Sequence, residues 1–193
     1  MRHQKHPLME ITLITSNRNK AREFKLILRD FAKIITFAME YPELRSDDPR
    51  EIVALAAKQL AEKMQRPVMV EDSGLFIRAL NGFPGTCTKY VFERIGNKGI
   101  LKVMSGKKDR TCYYKSAIAY CAPGEQPKTV IGIEEGRLAT KETGTKGWGQ
   151  DPIFIPKGKR KTYGESRKKD SVNLFRKSGL EKIRQLLEKE VVS

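Results

Sequence analysis

Pro67-Val68-Met69-Val70-Glu71-Asp72-Ser73-Gly74 sets a short apolar, β-branched run directly against two adjacent carboxylates and a turn-forming Ser-Gly. Taken alone, residues 67–70 read as a strand with the acidic pair at its end, running straight into a turn. Side chains alternate faces along a strand, so groups at its end can be aimed into a cleft from a rigid support. Two carboxylates in such a cleft hold a hard cation or exchange a proton, because uncompensated like charges repel. A solvated acidic loop has the same composition, and the neighbouring segments decide between the two readings.

Upstream, Ile11-Thr12-Leu13-Ile14-Thr15 reads as a buried strand. Ser16-Asn17-Arg18-Asn19-Lys20 then turns into a helix carrying Ala21, Phe24, Ile27 and Leu28 at the spacing of a face packed on a sheet. A strand, polar turn and helix in that order present backbone N–H groups at the helix N-terminus, a seat for an anion. Asn17 can donate or accept there, and Arg18 and Lys20 add positive charge. The segment lacks the Walker A pattern G-x-x-x-x-G-K-[ST], and an ordinary capped helix fits the same residues. Downstream, Gly144-Thr145-Lys146-Gly147-Trp148-Gly149-Gln150-Asp151-Pro152-Ile153-Phe154 places three glycines around the only tryptophan. Glycine lets backbone approach a flat ligand and the indole offers a stacking surface; a loop pinned to the core by Trp148 reads equally well. Asp151, preceding a proline, is expected to be extended and to serve as a fixed acceptor.

Composition narrows the class. A chain of 193 residues fits one large domain or two tightly joined lobes. No run of eighteen apolar residues occurs, and residues 1–9 are basic without a hydrophobic segment, so neither a membrane span nor a secretory signal is expected. Cys87, Cys112 and Cys121 are odd in number and lack C-x-x-C spacing, which suits a reduced, cytoplasmic setting. His3 and His6 are the only histidines, which removes a histidine metal site or base from the rest of the chain. The formal charge of +15, concentrated over residues 157–189, attracts nucleotides and would equally attract nucleic acid. No zinc-finger or RNP-like aromatic pattern accompanies it, which leaves nucleic-acid binding as the alternative reading.

Strands and helices alternate without internal repeats. Asp48-Pro49-Arg50-Glu51 resembles a capping box opening a helix to about residue 63, and residues 97–104 form another helix. Residues 111–120 and 129–133 read as an antiparallel hairpin around a turn at 121–128. Leu180, Ile183 and Leu187 form one face of a terminal helix. The pattern is that of an α/β sheet with an antiparallel extension.

In order and spacing, Thr15-Ser16-Asn17-Arg18-Asn19-Lys20, Tyr41-Pro42-Glu43, Val70-Glu71-Asp72-Ser73-Gly74-Leu75, Phe83-Pro84-Gly85 and Gly147-Trp148-Gly149-Gln150-Asp151-Pro152-Ile153-Phe154 resemble the inosine triphosphate pyrophosphatase family, also called Ham1-like. The likeness runs from about Ile11 into the C-terminal helix and is greatest to archaeal members. It implies a two-lobed fold with an elongated mixed central sheet and a cleft between the lobes. The chain then divides into a flexible basic tail, 1–10, and a single two-lobed domain, 11–193, forming a homodimer. It also implies Mg²⁺-dependent hydrolysis of noncanonical purine nucleoside triphosphates such as ITP, dITP and XTP to the monophosphate and pyrophosphate. By position, Thr15, Ser16, Asn17, Arg18, Asn19 and Lys20 resemble the triphosphate-binding turn, with Lys20 also placed in the catalytic set. Glu43 and Asp72 resemble the metal-linked carboxylates, and Asp72 also the general base. Ser73, Trp148, Gly149, Gln150 and Asp151 resemble nucleoside contacts, and Lys58 and Lys169 basic positions near phosphates or base.

One departure bears on specificity. Family members usually carry Ser-His-Arg before the last helix, where His-Arg reads the purine 6-oxo edge. Placed without gaps from Lys169, this chain has Leu174 and Phe175 at those two positions, with Arg176 one residue late and so rotated by about 100° on a helix. The implied consequence is altered base specificity or weakened catalysis, with Arg176 able to restore the contact only if the helix turns it inward.

Overall fold

The computed structural model describes residues 8–39, 41, 44–168 and 171–191. Its elements run β1 (Met9–Ile14), α1 (Arg18–Leu28), β2 (Ala32–Phe37), α2 (Pro49–Met64), β3 (Val68–Ile77), β4 (Pro84–Gly85), α3 (Thr88–Val103), β5 (Thr111–Cys121), β6 (Lys128–Leu138), β7 (Phe154–Pro156), α4 (Tyr163–Ser166) and α5 (Leu174–Val191). They build one mixed sheet in the order β2-β1-β3-β5-β6-β7, with β4 beside β3. β1 is parallel to both β2 and β3, and the remaining pairs are antiparallel.

Strand alternation sorts the core. Met69 and Ile118 face the side covered by α1 and α5, where Phe24, Leu28, Leu180, Ile183 and Leu187 bury their side chains. Val68, Val70, Ala117 and Ala119 face the side covered by α2, whose Val53, Ala57 and Leu60 meet them. A third cluster, including Leu75, Ile77, Ile100, Met104, Phe154 and Phe175, fills the far half of the sheet under α3. Among the described residues no helix is long and apolar enough to cross a membrane.

Three expectations need correcting. β3 does not end at Val70; it continues to Ile77 and pairs with β5 throughout, Val68 opposite Cys121 and Ile77 opposite Cys112. The Ser-Gly is therefore no turn. A Cβ on Gly74 would lie 2.0 Å from the Gly85 carbonyl oxygen, so the glycine admits β4 rather than reversing the chain. The helix expected over 97–104 begins at Thr88 and bends at Gly96, whose φ is +61°. Asp48 does cap α2, accepting the Arg50 N–H at 3.1 Å with Pro49 in the first position. Its expected partner Glu51 instead takes the Ser46 hydroxyl at 2.6 Å, and the capping box of this chain is Thr162 with Glu165.

The site's position follows from register. β1 stops at Ile14, opposite Val70 of β3. Glu71, Asp72 and Ser73 therefore continue past the carboxyl end of a parallel neighbour. That is where open α/β sheets leave a crevice.

Candidate active site

A cavity of about 660 Å³ opens at this step in the sheet. The β1–α1 turn, the middle of β3, the first turns of α3, the 148–151 loop and the start of α5 line it.

The β1–α1 turn is closed on itself. The Asn17 side chain accepts the N–H groups of Asn19 at 2.9 Å and Lys20 at 3.1 Å, and the Asn17 N–H donates to Thr15 Oγ1 at 3.1 Å. The capped-helix reading is thus correct, and the cap already takes two of the amides an anion seat would use. Thr15, Ser16, Asn17 and Lys20 line the cavity; Arg18 is exposed and does not, and Asn19 faces a second, shallower cavity.

Lys20 points at β3. Its ammonium lies 2.6 Å from Glu71 Oε2 and donates to the Glu71 carbonyl at 3.3 Å. Glu71 is buried, and its Oε1 accepts the Ser116 hydroxyl at 2.7 Å and Arg176 Nε at 3.1 Å. Arg176 is fully buried, pairs through Nη1 with Glu23 and donates through Nη2 to Ser73 Oγ at 3.2 Å. Burial opposes ionisation of Glu71, yet the charges of Arg176 and Lys20 outweigh it and hold the carboxyl at about 2. Glu71 is therefore a structural anion rather than a proton carrier. Alternation sends Asp72 to the opposite face, toward Met39 and Tyr41, and its carboxylate lines the cavity. Ser73 lines the floor on the Glu71 side.

In the tryptophan loop, Gly147 adopts φ +75°, and a Cβ there would sit 1.9 Å from Asp151 Oδ2. That carboxylate accepts the Trp148 N–H at 2.9 Å and pairs with the Arg167 guanidinium. Asp151 lies in a turn, its own N–H on the Trp148 carbonyl at 3.2 Å, so the expected extended acceptor is instead the clasp of its loop. Burial pushes its carboxyl above the ordinary range against the pull of Arg167. Asn97 Nδ2 donates to the Gly149 carbonyl at 3.0 Å, and Gln150 Oε1 accepts the Tyr114 hydroxyl at 3.4 Å. The indole of Trp148 lines the cavity, half-buried.

Several assignments move. Lys58 is exposed on α2 with its ammonium on Gln126 at 3.5 Å, and it does not line the cavity. Glu43 and Lys169 lie outside the described residues. α5 begins at Leu174, which is exposed, whereas Phe175 lines the cavity and stacks on Tyr114 with ring centroids 4.7 Å apart. The Phe175 N–H caps onto Glu134. The start of the helix turns Arg176 inward, not outward, but behind the cavity wall on Glu23, Glu71 and Ser73 rather than into the open space.

Sequence reasoning passed over Lys89 and Glu93, which line the cavity from the first half of α3. It also passed over Glu23, although a carboxylate one turn before Ile27 on an apolar helical stripe is itself a signal of a buried partner.

The Ham1 family profile matches residues 11–186. A dITP/XTP pyrophosphatase of Methanopyrus kandleri is 46% identical over 158 residues, 81% of this chain and 84% of its own. The dITP/XTP pyrophosphatase of Methanosarcina acetivorans is 45% identical over 157 residues, with the same shares covered. The Ham1 protein of Staphylococcus aureus superposes with a TM-score of 0.80 at 26% identity, over 94% of this chain and 99% of its own. Since the match takes in the β1–α1 turn, the acidic middle of β3, the tryptophan loop and most of α5, the chain belongs to the Ham1 family.

Proposed function

We propose that this chain is a nucleoside triphosphate pyrophosphatase that converts noncanonical purine nucleotides such as ITP, dITP and XTP to the monophosphate and pyrophosphate, with Mg²⁺. The observation that carries the reading is one cavity lined together by Asn17, Lys20, Asp72 and the Trp148 ring. Relatives named dITP/XTP pyrophosphatase, matched over 81% of the chain, support it.

In this reading the ring of Trp148 stacks on the base, and Ser73 and Gln150 offer polar groups beside it. Lys20 and Lys89, both on the cavity lining, neutralise phosphate oxygens. Asp72 accepts the proton of the water that attacks the α-phosphorus, and pyrophosphate leaves. General-base assistance of this kind is worth about 10²–10⁴-fold. Phosphoryl transfer depends mostly on positioning and charge stabilisation, so no nucleophilic side chain is required.

The donor set suits magnesium. Among the described residues no three His, Cys, Asp or Glu side chains form a metal cluster. Of the carboxylates lining the cavity, Glu71 and Asp151 are held by basic side chains, and Asp72 stands beside them as a further oxygen donor. One or two carboxylates plus substrate phosphates are what Mg²⁺ ordinarily takes. Asp72 would hold it, with Glu43 assigned to the ion by the family resemblance alone, and the ion would neutralise charge developing on the phosphates.

Base discrimination is broad in this reading. Phe175 lines the cavity, Leu174 faces solvent, and Arg176 has its donors on Glu23, Glu71 and Ser73. Apolar contact to a base edge, as Phe175 offers, seldom discriminates beyond about 10²-fold, whereas a dedicated hydrogen-bonding contact reaches roughly 10⁴-fold. The family resemblance implies a homodimer, which light scattering of the purified protein tests.

Incubation with ITP, XTP, dITP, ATP and GTP, followed by product separation, decides the reading. Monophosphate plus pyrophosphate is the expected outcome, with ITP favoured over ATP by no more than about 10²-fold. Absence of turnover of every nucleotide with Mg²⁺ and Mn²⁺ refutes it.

A further inference from the structure

The ammonium that this reaction requires on a phosphate oxygen already has an anion. Lys20 Nζ lies 2.6 Å from Glu71 Oε2, and its side chain is 18% exposed against 1% for Glu71. The two partners differ in freedom. Lys20 ends a flexible four-carbon stem at the cavity wall. Glu71 is fixed from behind, by Ser116 at 2.7 Å and by the fully buried Arg176 at 3.1 Å. Arg176 is in turn clamped by Glu23 and Ser73. A carboxylate so held cannot follow Lys20 when the ammonium turns toward a ligand, and its negative charge stays beside whatever anion Lys20 binds.

We propose that Glu71 is a positioning residue that acts as a built-in competitor for phosphate at Lys20. In the free protein it holds the ammonium aimed along the cavity wall. With a polyanion bound, its fixed charge weakens the hold on the triphosphate and on the pyrophosphate product alike. Binding that strengthens substrate and product equally does not speed the chemical step, whereas a weakened grip lets pyrophosphate leave. The inference rests on the phosphate role proposed for Lys20.

Removing one unit of charge about 6–8 Å from a bound anion, at an effective dielectric constant near 20, changes affinity by roughly 30- to 100-fold, and solvent screening reduces this to about tenfold. Glu71→Gln keeps the shape and the Ser116 contact. It is expected to bind inorganic pyrophosphate about tenfold more tightly by calorimetry, with KM for ITP falling in parallel and kcat falling as release slows. Glu71→Asp, which keeps the charge, is expected to stay within about twofold of wild type for pyrophosphate. A purely structural role would reduce the folded fraction without tightening pyrophosphate binding.

Unchanged or weaker binding in folded Glu71→Gln overturns the proposal, as does equal tightening in Glu71→Asp or absence of pyrophosphate binding by wild type. If Glu71→Gln does not fold, Lys20→Met serves instead. It uncovers the fixed carboxylate, so pyrophosphate affinity should fall more than 100-fold, and a fall of tenfold or less refutes the idea. Calorimetry with pyrophosphate needs no turnover, so a wild type inert toward every nucleoside triphosphate refutes the proposed reaction while these affinities still judge Glu71.

Discussion

Replacing Arg176 by methionine removes the one cation that two buried carboxylates share. Nη1 pairs with Glu23, Nε lies 3.1 Å from Glu71, and Nη2 donates to Ser73 at 3.2 Å. Methionine fills much of the volume and can pack on the Phe175 ring, over which the guanidinium carbon now sits at 5.0 Å. The packing loss is therefore small and the electrostatic loss dominates. Glu23 would retain Asn173 Nδ2 at 3.0 Å, and Glu71 would retain Lys20 and Ser116. Breaking a buried pair from one side costs about 3–5 kcal/mol, a large part of the roughly 5–15 kcal/mol of a typical domain. For a chain of this size that corresponds to a fall in Tm of about 6–20 °C. The pH dependence carries the diagnosis. With its carboxyl at about 2, below the unfolded value of about 4.3, Glu71 stabilises the wild type above the unfolded value and loses that contribution as pH falls toward 2. Without Arg176, burial is opposed mainly by Lys20 and the carboxyl rises. The variant's deficit should be greatest near pH 7 and shrink as pH is lowered and that group takes up its proton. Urea unfolding of both proteins from pH 7 to pH 4 measures it. A deficit under about 1 kcal/mol at pH 7, or one that widens toward pH 4, refutes the account.

Asp72→Asn keeps shape but cannot accept a proton, so kcat for ITP should drop about 10²–10⁴-fold; near wild-type turnover would remove the base assignment. Lys58→Ala should leave kcat/KM within about twofold, since that ammonium lies on Gln126 outside the cavity, and a larger loss would return Lys58 to the site. Gly147→Ala forces a side chain into φ +75° and against Asp151 Oδ2, costing at least about 1–3 kcal/mol in backbone strain. Emission of the sole tryptophan should shift as its loop loosens, and an unaltered spectrum with unaltered KM would contradict the clasp.

The sequence was most legible where local pattern and tertiary packing agree. Phe24 and Leu28 of α1, and Leu180, Ile183 and Leu187 of α5, all lie on the predicted stripes and are 0–2% exposed. The full length of β3 was hidden because Glu, Asp, Ser and Gly are poor strand formers. What makes them a strand is ten consecutive pairs with β5 and the close approach of Gly85 to Gly74, both long-range facts. The first half of α3 escaped because its helix is interrupted by Gly96, and that glycine made the start at Asn97 look natural. The residues brought to the cavity were largely legible by motif, but their pairing was not. Glu71 and Asp72 look alike in sequence, and only alternation plus the positions of α1 and α5 make one a clamped anion and the other a cavity-facing carboxylate. The inward turn of Arg176 depended on where α5 begins. That start is set by the packing of Phe175 on Tyr114 and by its N–H on Glu134, neither of which spacing from Lys169 can reveal.

The chain is strongly basic overall, whereas the charges on the described lining of the cavity and just behind it balance, and the difference bears on mechanism. The chain carries +15 overall, yet the described residues lining the cavity include four carboxylates, Glu71, Asp72, Glu93 and Asp151, against the ammonium groups of Lys20 and Lys89. Arg176 and Arg167 compensate Glu71 and Asp151 from behind the wall. The exterior field raises the local concentration of polyanions and speeds encounter, an effect screened beyond about 8 Å at physiological salt. Inside that distance the wall decides. A bare triphosphate entering there meets carboxylates as well as the ammonium groups of Lys20 and Lys89, and Lys20 is held on Glu71. A divalent cation carried on the phosphates would be attracted by the same carboxylates that repel a bare phosphate. Steering by the basic surface and selection by the carboxylates of the wall are thus separable. Raising salt should slow association of a metal-bound nucleotide, while removing the metal should weaken its equilibrium binding at any salt.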